Sequence, residues 1–295
     1  MIHSDLNRLA VFVSVAEAGG FTAAAERLGI AKSQVSHQIA RLEKELGIEL
    51  FSRSTRRVAM TDAGEQLYNE CAPALAALDN AVADLDSGNG HLRGRLRITA
   101  PSSYAQCKLA RQIAEFSQLH PGLDIDIVAT DEYLDLIAEG IDIAIRVGNL
   151  KDSSLHATQL GSFRIQLAAS PQLLDSYGPI AHPADLQNAP WVVLSTLQTP
   201  LTWAFTGPRG EQQVVQGRSV FRTNNTEVSV QAAIAGSGFV VAPDYLIQPE
   251  VAKGRLSIVC PSWTLSDRVY SAVYPASRQP PAKVRALVNW LKAHC

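Results

Sequence analysis

Between Lys32 and Lys44 the sequence reads KSQVSHQIARLEK, and Ser33, Ser36, His37, Arg41 and Lys44 fall on one side of a helical repeat. Two hydroxyls, an imidazole and two cations form no nucleophile–base pair. They are suited to hydrogen bonding with polar edges and to neutralising phosphate. Arg53, Arg56 and Arg57 follow in SRSTRR, so residues 27–57 hold seven Lys/Arg against three Glu. That local excess of four positive charges sits in a chain whose formal net charge is −2. A second set of polar residues lies where strands end: Ser102 and Ser103 after RLRITA, Thr130 after LDIDIVA, Ser195 and Thr196 after WVVL, and Asn224 and Asn225 ahead of a helix. Hydroxyls and backbone N–H groups at a helix start suit a carboxylate or another small anion. Each of these residues is equally able to act as a local helix cap.

The first set needs helices to position it. Leu6, Leu9, Val13 and Ala16 give a first helix over 5–18, closed by Gly19-Gly20. Phe21, Ala24, Ala25 and Leu28 give a short second one. Val35, Ile39, Leu42 and Leu46 give a third, with Gly47 as its C-cap. The tight link LGIAK makes the last two a helix-turn-helix, whose second helix fits a DNA major groove roughly 12 Å wide. IELF and RVAMT flank SRSTR as the strands of a basic β-hairpin. From Thr61, a stripe of Gly64, Leu67, Cys71, Leu75, Leu78, Val82 and Leu85 predicts a long helix bent at Pro73 and ended by SGNG at 87–90. Pairing with a second copy is favoured over packing on its own domain, because no nearby segment has to cover the stripe.

The pattern changes at residue 92. Strand-like RLRITA, LDIDIVA, GIDIAIRVG, GSFRIQLAAS, WVVLS, GFVVAP, RLSIVC and RVYSAVYP alternate with helical stretches at 105–119, 131–139, 226–236, 243–253 and 281–293. Such alternation predicts an α/β domain with a mostly parallel sheet. Arg146 either reaches a ligand cleft or pairs with Asp142.

Composition narrows the function. Hydrophobic residues make up 46% and charged residues 18% of the 295, enough for two or three domains. The four cysteines form no CxxC, and the seven histidines show no HExxH or HxH, so neither a metal site nor a cofactor is expected. GSGFVV lacks the last glycine of a dinucleotide fingerprint and no GxSxG occurs, so no enzyme is expected. The N-terminus carries Asp5 and Arg8 and has no basic leader, and no window approaches a membrane span of about 20 apolar residues. A cytoplasmic protein without membrane contact is expected. Cys71 reads as a small buried apolar residue, and Cys107 and Cys260 as buried structural thiols rather than a redox pair.

GGFTAAAERLGIAKSQVSHQIARLEKELGIELFSRSTRRVAMTDAG closely resembles the winged helix-turn-helix of LysR-type transcriptional regulators. RLRITAPSSYA, LIAEGIDIAIRVG, LGSFRIQLAASPQLL, AAIAGSGFVVAPDYL and SAVYPASRQPPAKVRALVNWL resemble that family's effector-binding domain more loosely. The resemblance implies a DNA-binding domain over 1–61, a linker and dimerisation helix with a hinge over 62–90, and an effector domain over 91–295. The last would have two Rossmann-like lobes of the periplasmic-binding-protein type, about 91–161 with 269–295, and 162–268. Lys32, Ser33, Gln34, Ser36, His37 and Arg41 are then expected at bases and adjacent phosphates, with Arg53, Arg56 and Arg57 on the DNA backbone. Ser102, Ser103, Thr130, Ser195, Thr196 and Asn225 would face the effector between the lobes. Two positions depart from the family pattern. His37 stands where arginine is frequent, and Ala31 where a small hydroxyl often opens the recognition helix, which leaves capping to Ser33. The implied partners are promoter DNA, a small effector and further copies of the chain, as a dimer or a tetramer of two dimers. A small-molecule carrier without DNA function is the alternative; the arginine wing and the lack of an export signal favour the regulator.

Overall fold

The computed structural model describes residues 5–52, 58–86, 92–148, 155–178, 180–276 and 280–294, with backbone alone for 79–86. The chain makes two compact units, one reaching Gly94 and taking in Leu134–Ile141, the other formed by Arg95–Tyr133 and Asp142–Cys295. Among the described residues, no helix is long and apolar enough to cross a membrane.

In the first unit α1 (Leu6–Ala18), α2 (Phe21–Leu28) and α3 (Lys32–Leu46) surround Phe12, Val15, Ala24, Val35, Ile39 and Leu42, all at most 2% exposed. Asp5 caps α1 by accepting from the Asn7 N–H at 3.0 Å. Buried Arg8 pairs with Glu45 and so ties α1 to α3. Between α2 and α3, Gly29 takes φ +66, and its N–H and that of Ile30 close the end of α2. A side chain at that φ strains the turn that sets the angle of α3.

Strands β1 (Phe51–Ser52) and β2 (Ala59–Met60) pair antiparallel, Phe51 opposite Met60 and Ser52 opposite Ala59. The expected wing tip with Arg53, Arg56 and Arg57 lies outside the described residues, as does the hinge at 87–90. Helix α4 (Asp62–Asp86) runs 25 residues with Pro73 inside it. Thr61 opens it, accepting from the Gly64 N–H at 3.1 Å while donating to the Glu49 carbonyl at 2.8 Å. A Cβ on Gly64 would lie 2.2 Å from the Leu50 carbonyl oxygen, so only glycine lets α4 pass this close to the wing.

The stripe expected to pair with a second copy is largely used within its own domain. Leu67, Tyr68, Cys71, Ala72 and Leu75 pack into the same core as Phe12 and Ile39, while Leu78 is 53% exposed. The three-helix core is open on the side that α4 covers, and the apolar spacing alone does not reveal that opening.

In the second unit β3 (Gly94–Ala100) leads into a continuous helical run: α5 (Ser102–Tyr104), a π-helical turn (Ala105–Leu109) and α6 (Ala110–Leu119). Then come β4 (Leu123–Ala129), β5 (Ile143–Val147) and β6 (Leu155–Phe163). The helix expected over 131–139 is a turn. Asp135 Oδ1 takes the Ile137 and Ala138 N–H groups at 2.9 and 3.2 Å, and Gly140 at φ +60 stops the coil after one turn.

The chain then enters a second lobe: β7 (Ile165–Ala169), α7 (Pro171–Tyr177), β8 (Pro190–Leu194), β9 (Thr202–Thr206), β10 (Gln212–Gln216), β11 (Arg218–Thr223), α8 (Thr226–Ile234), β12 (Val240–Pro243), α9 (Asp244–Ala252), β13 (Ser257–Ile258) and β14 (Thr264–Leu265). It returns through β15 (Arg268–Pro275) and ends in α10 (Ala282–His294).

Sheet order in the first lobe is β4-β3-β5-β15-β6. β3 and β5 are parallel, but β15 runs antiparallel to both β5 and β6. In the second lobe β8 and β11 are parallel, whereas β7 pairs antiparallel with β12 and β13. The sheets are mixed, not mostly parallel, because the two connecting strands β6 and β15 must run in opposite directions. Their register extends from Arg268 opposite Phe163 to Pro275 opposite Leu155. Trp191, Trp203, Phe205 and Phe239 fill the second core. α10 lies against α6, where the Trp290 Nε1–H donates to the Gln112 carbonyl at 3.2 Å.

Candidate functional site

Helix α3 presents the first group of residues. Val35, Ile39 and Leu42 are buried, whereas Lys32, Ser33, Gln34, Ser36, His37 and Arg41 are all exposed on the outer side. Ala31 is the N-cap residue and has no side-chain acceptor to offer. Gln34 compensates by reaching back, its Oε1 accepting the Ala31 N–H at 3.2 Å. Ser33 therefore does not take over the capping. Arg41 Nε stands 3.6 Å from Glu45, an exposed pair that is easily broken in favour of an outside anion.

Glu43, on the inner edge of α3, accepts from the N–H groups of Leu50 at 2.8 Å and Phe51 at 3.2 Å. The helix thereby sets the position of the first wing strand. A helix with a polar outer face, locked to a hairpin beside it, is a surface shaped to enter a groove while the hairpin lies on the adjoining backbone.

The second group meets where the two lobes approach. Ser102 presents its N–H at the start of the helical run, and Asp131 Oδ1 accepts it at 3.0 Å. Asp131 Oδ2 accepts from Asn225 Nδ2 of the second lobe at 3.1 Å. Asn225 also caps α8, its Oδ1 accepting the Val228 N–H at 2.9 Å. One carboxylate thus serves helix starts from both lobes. Ser103, 3% exposed, lies 3.3 Å from the Tyr245 hydroxyl across the same gap. Burial pushes the Tyr245 phenol up to about 12, against the pull of the Ser103 hydrogen bond, so it stays protonated. Tyr245 packs edge-on against Phe163 at 5.5 Å, and Lys108 lies 5.5 Å over its ring.

The remaining expected residues are placed differently. Thr130 Oγ1 accepts the Glu132 N–H at 3.2 Å, a local turn contact. Ser195 Oγ donates to the Thr223 carbonyl at 3.0 Å, and both Ser195 and Thr196 are exposed at the end of β8. Arg146 lies 4.6 Å over the Tyr133 ring. Asp142 is held instead by Lys283 Nζ at 2.9 Å and by the Arg97 N–H at 2.9 Å.

Sequence reasoning missed Asp131, Tyr245 and Glu227. Asp131 follows Thr130 directly in ATDEY, and Tyr245 stands just past a strand end in APDYL, so the strand-end rule that selected the hydroxyls could have taken both. Glu227 Oε2 is buried without a hydrogen-bond partner among the described residues. Burial raises the Glu227 pKa, its own backbone N–H opposes the rise, and the charge of Asp131 adds to it.

Cys260 is buried as expected, whereas Cys107, in the π-helical turn where its side chain turns outward, is exposed. Partial burial raises the Cys107 thiol, and burial raises Cys260 to about 11, so both stay protonated near neutrality. A separate cavity of about 440 Å³ in the second lobe, lined by Leu174, Ile180, Ile258 and Cys260 among others, holds none of the expected effector residues.

Comparison with known proteins agrees with this geometry. Residues 6–65 match the bacterial regulatory helix-turn-helix protein model of the lysR family, and residues 89–295 the LysR substrate binding domain. The regulator PtxR of Pseudomonas aeruginosa is 39% identical over 99% of this chain and 93% of its own. The transcriptional activator AaeR of Escherichia coli is 34% identical over 97% and 92%. Among solved structures, the full-length virulence activator AphB of Vibrio cholerae gives a TM-score of 0.61 at 26% identity, over 98% of this chain and 99% of that one. CrgA of Neisseria meningitidis gives 0.61 at 27%, over 99% of each. With a helix-turn-helix in its N-terminal part and a two-lobed substrate-binding domain in its C-terminal part, the chain belongs to the LysR family and is a LysR-type transcriptional regulator.

Proposed function

We propose that this regulator reads promoter DNA with α3 and its wing and answers to a small effector held between the two lobes. The observation that carries the reading is the outer face of α3. Lys32, Ser33, Ser36, His37 and Arg41 are exposed together while Val35, Ile39 and Leu42 on the other face are buried, so the helix is fixed and its polar side is available. Ser33, Ser36 and His37 meet base edges, Lys32 and Arg41 meet phosphates, and Arg53, Arg56 and Arg57 hold the neighbouring backbone. Two copies joined through α4 beyond Leu75 place two such helices about one DNA turn apart, roughly 34 Å; two such dimers form the cytoplasmic tetramer. In the cleft, Ser103, Tyr245 and Asn225 supply hydrogen-bonding groups, and effector binding changes the angle between lobes by as much as it prefers one arrangement.

Fluorescence anisotropy with duplex DNA from upstream of the protein's own gene, against a random duplex and over a salt series, tests the reading. Specific binding that weakens steeply with salt is expected, the slope growing by about 0.9 per phosphate neutralised. Failure to bind any duplex at low salt would leave the DNA reading without support.

A further inference from the structure

A helix start facing a ligand cleft ordinarily waits for an anion from outside, but here the chain supplies its own. Asp131 accepts the Ser102 N–H with one oxygen and the Asn225 amide with the other, which uses both of its oxygens and joins the lobes. Glu227 stands in the first turn of α8 beside it, with Oε2 buried and no hydrogen-bond donor on that atom among the described residues. Two carboxylates therefore lie together here, Asp131 held by the Asn225 amide and its charge acting on Glu227. Lys108 lies 5.5 Å over the ring of Tyr245, whose hydroxyl meets Ser103.

We infer that Asp131 is a specificity-determining residue of the cleft: it fills the place an effector carboxylate would take between Ser102 and Asn225, and so shuts carboxylate groups out of that place. This rests on the reading of the cleft as the effector site. A carboxylate entering there would have to displace Asp131, leave it without its partners near Glu227, and add a negative charge to that pair. The effector group that meets this wall is a hydrogen-bond donor, such as an ammonium, amide or hydroxyl, which Glu227 Oε2 can accept without disturbing the Asp131 bridge. Asp131 acts here by occupying the place and by fixing Asn225.

Chemical rescue tests it. Full-length wild type, Asp131→Ala and Asp131→Asn are unfolded thermally in rising acetate, with chloride at matched ionic strength and acetamide as a neutral analogue. In Asp131→Ala the Ser102 N–H and the Asn225 amide lose their acceptor, and acetate fits the vacated place. A saturable rise of about 2–4 °C or more is expected for this variant in acetate only, a size that unfolding calorimetry resolves in a chain of this length. Wild type and Asp131→Asn, whose place stays filled, should respond to acetate as they do to chloride. A folded Asp131→Ala protein indifferent to acetate, or a wild type that responds equally, overturns the inference. A purely structural role for Asp131 lowers the melting temperature without rescue, and counts against it too. If Asp131→Ala does not fold, Asp131→Ser leaves most of the same space and is read the same way. Anisotropy on the same samples separates the two readings: rescue without DNA binding removes the promoter reading alone, and DNA binding without rescue removes this one alone.

Discussion

Glu43 on α3 holds the backbone N–H groups of Leu50 and Phe51, so the helix expected to read bases and the hairpin expected to grip the backbone share one carboxylate. Replacing it with alanine leaves two partly buried N–H groups short of an acceptor. Glu43→Ala should cost about 1–3 kcal/mol in denaturant unfolding. It should also weaken promoter DNA binding although Glu43 does not face outward, because the wing loses its fixed position. Normal DNA affinity in the folded variant would mean that the wing is positioned by something else.

Gly64 passes too close to Leu50 for any side chain, its ideal Cβ falling 2.2 Å from the Leu50 carbonyl oxygen. Gly64→Ala must push α4 away from the wing base. A loss of about 1–3 kcal/mol is expected from thermal or denaturant unfolding, the usual size of overpacking penalties.

On the outer face of α3, Lys32 and His37 should separate by experiment. Both are exposed, so alanine at either should leave stability within about 0.5 kcal/mol. Lys32→Ala should weaken all duplexes similarly and lower the salt slope by about 1. His37→Ala should instead reduce discrimination between the promoter and a random duplex, with the slope little changed. The same titration series reads both.

Lys283 Nζ donates to Asp142 at 2.9 Å and also to the Arg95 carbonyl, with both side chains mostly buried at 9% and 13% exposure. Lys283→Ala strands a buried carboxylate and should cost about 3–5 kcal/mol. The loss should be smaller in Lys283→Ala/Asp142→Asn, which a double-mutant cycle measures.

For Glu227 the sign of the pH dependence follows from its raised pKa, caused first by burial. The folded protein holds this proton to higher pH than the unfolded chain does. Ionisation therefore subtracts from stability as pH climbs through the ordinary carboxylate range, near 4.3, toward the raised value. Glu227→Gln should stabilise the protein at neutral pH, and the gain should fade below that range. Melting temperatures of the two proteins across pH 4–7.5 check this.

The helix-turn-helix was legible because its signals are local: caps, glycines and apolar spacing lie within a few residues of one another. The exposed polar face of α3 was legible for the same reason, since one helix carries all of it. What escaped depends on partners far apart in the chain. Asp131 meets Asn225 only because two lobes bring them together, ninety-four residues apart. Leu67, Cys71 and Leu75 looked free because the open side of the three-helix core has no signature in the stripe itself. The segment 131–139 has helical spacing, yet Asp135 takes its N–H groups into a turn and Gly140 ends it. The antiparallel course of β15 is set by the chain's return from the second lobe, which strand patterns do not encode.

The π-helical turn at Ala105–Leu109, closed by the Ala110 N–H on the Ala105 carbonyl, amounts to one residue inserted into an otherwise regular coil. Each residue turns a helix by about 100°, so the insertion shifts the phase of Ser102–Tyr104 against that of α6 by roughly that angle. Ile113 and Phe116 keep their places in the core while Ser103 faces Tyr245. The orientation of the cleft's serines is thus set by chain length as much as by residue identity. Deleting Gln106, inside that turn, would leave Ser103, Lys108, Ile113 and Phe116 all present and rotate Ser103 away from Tyr245.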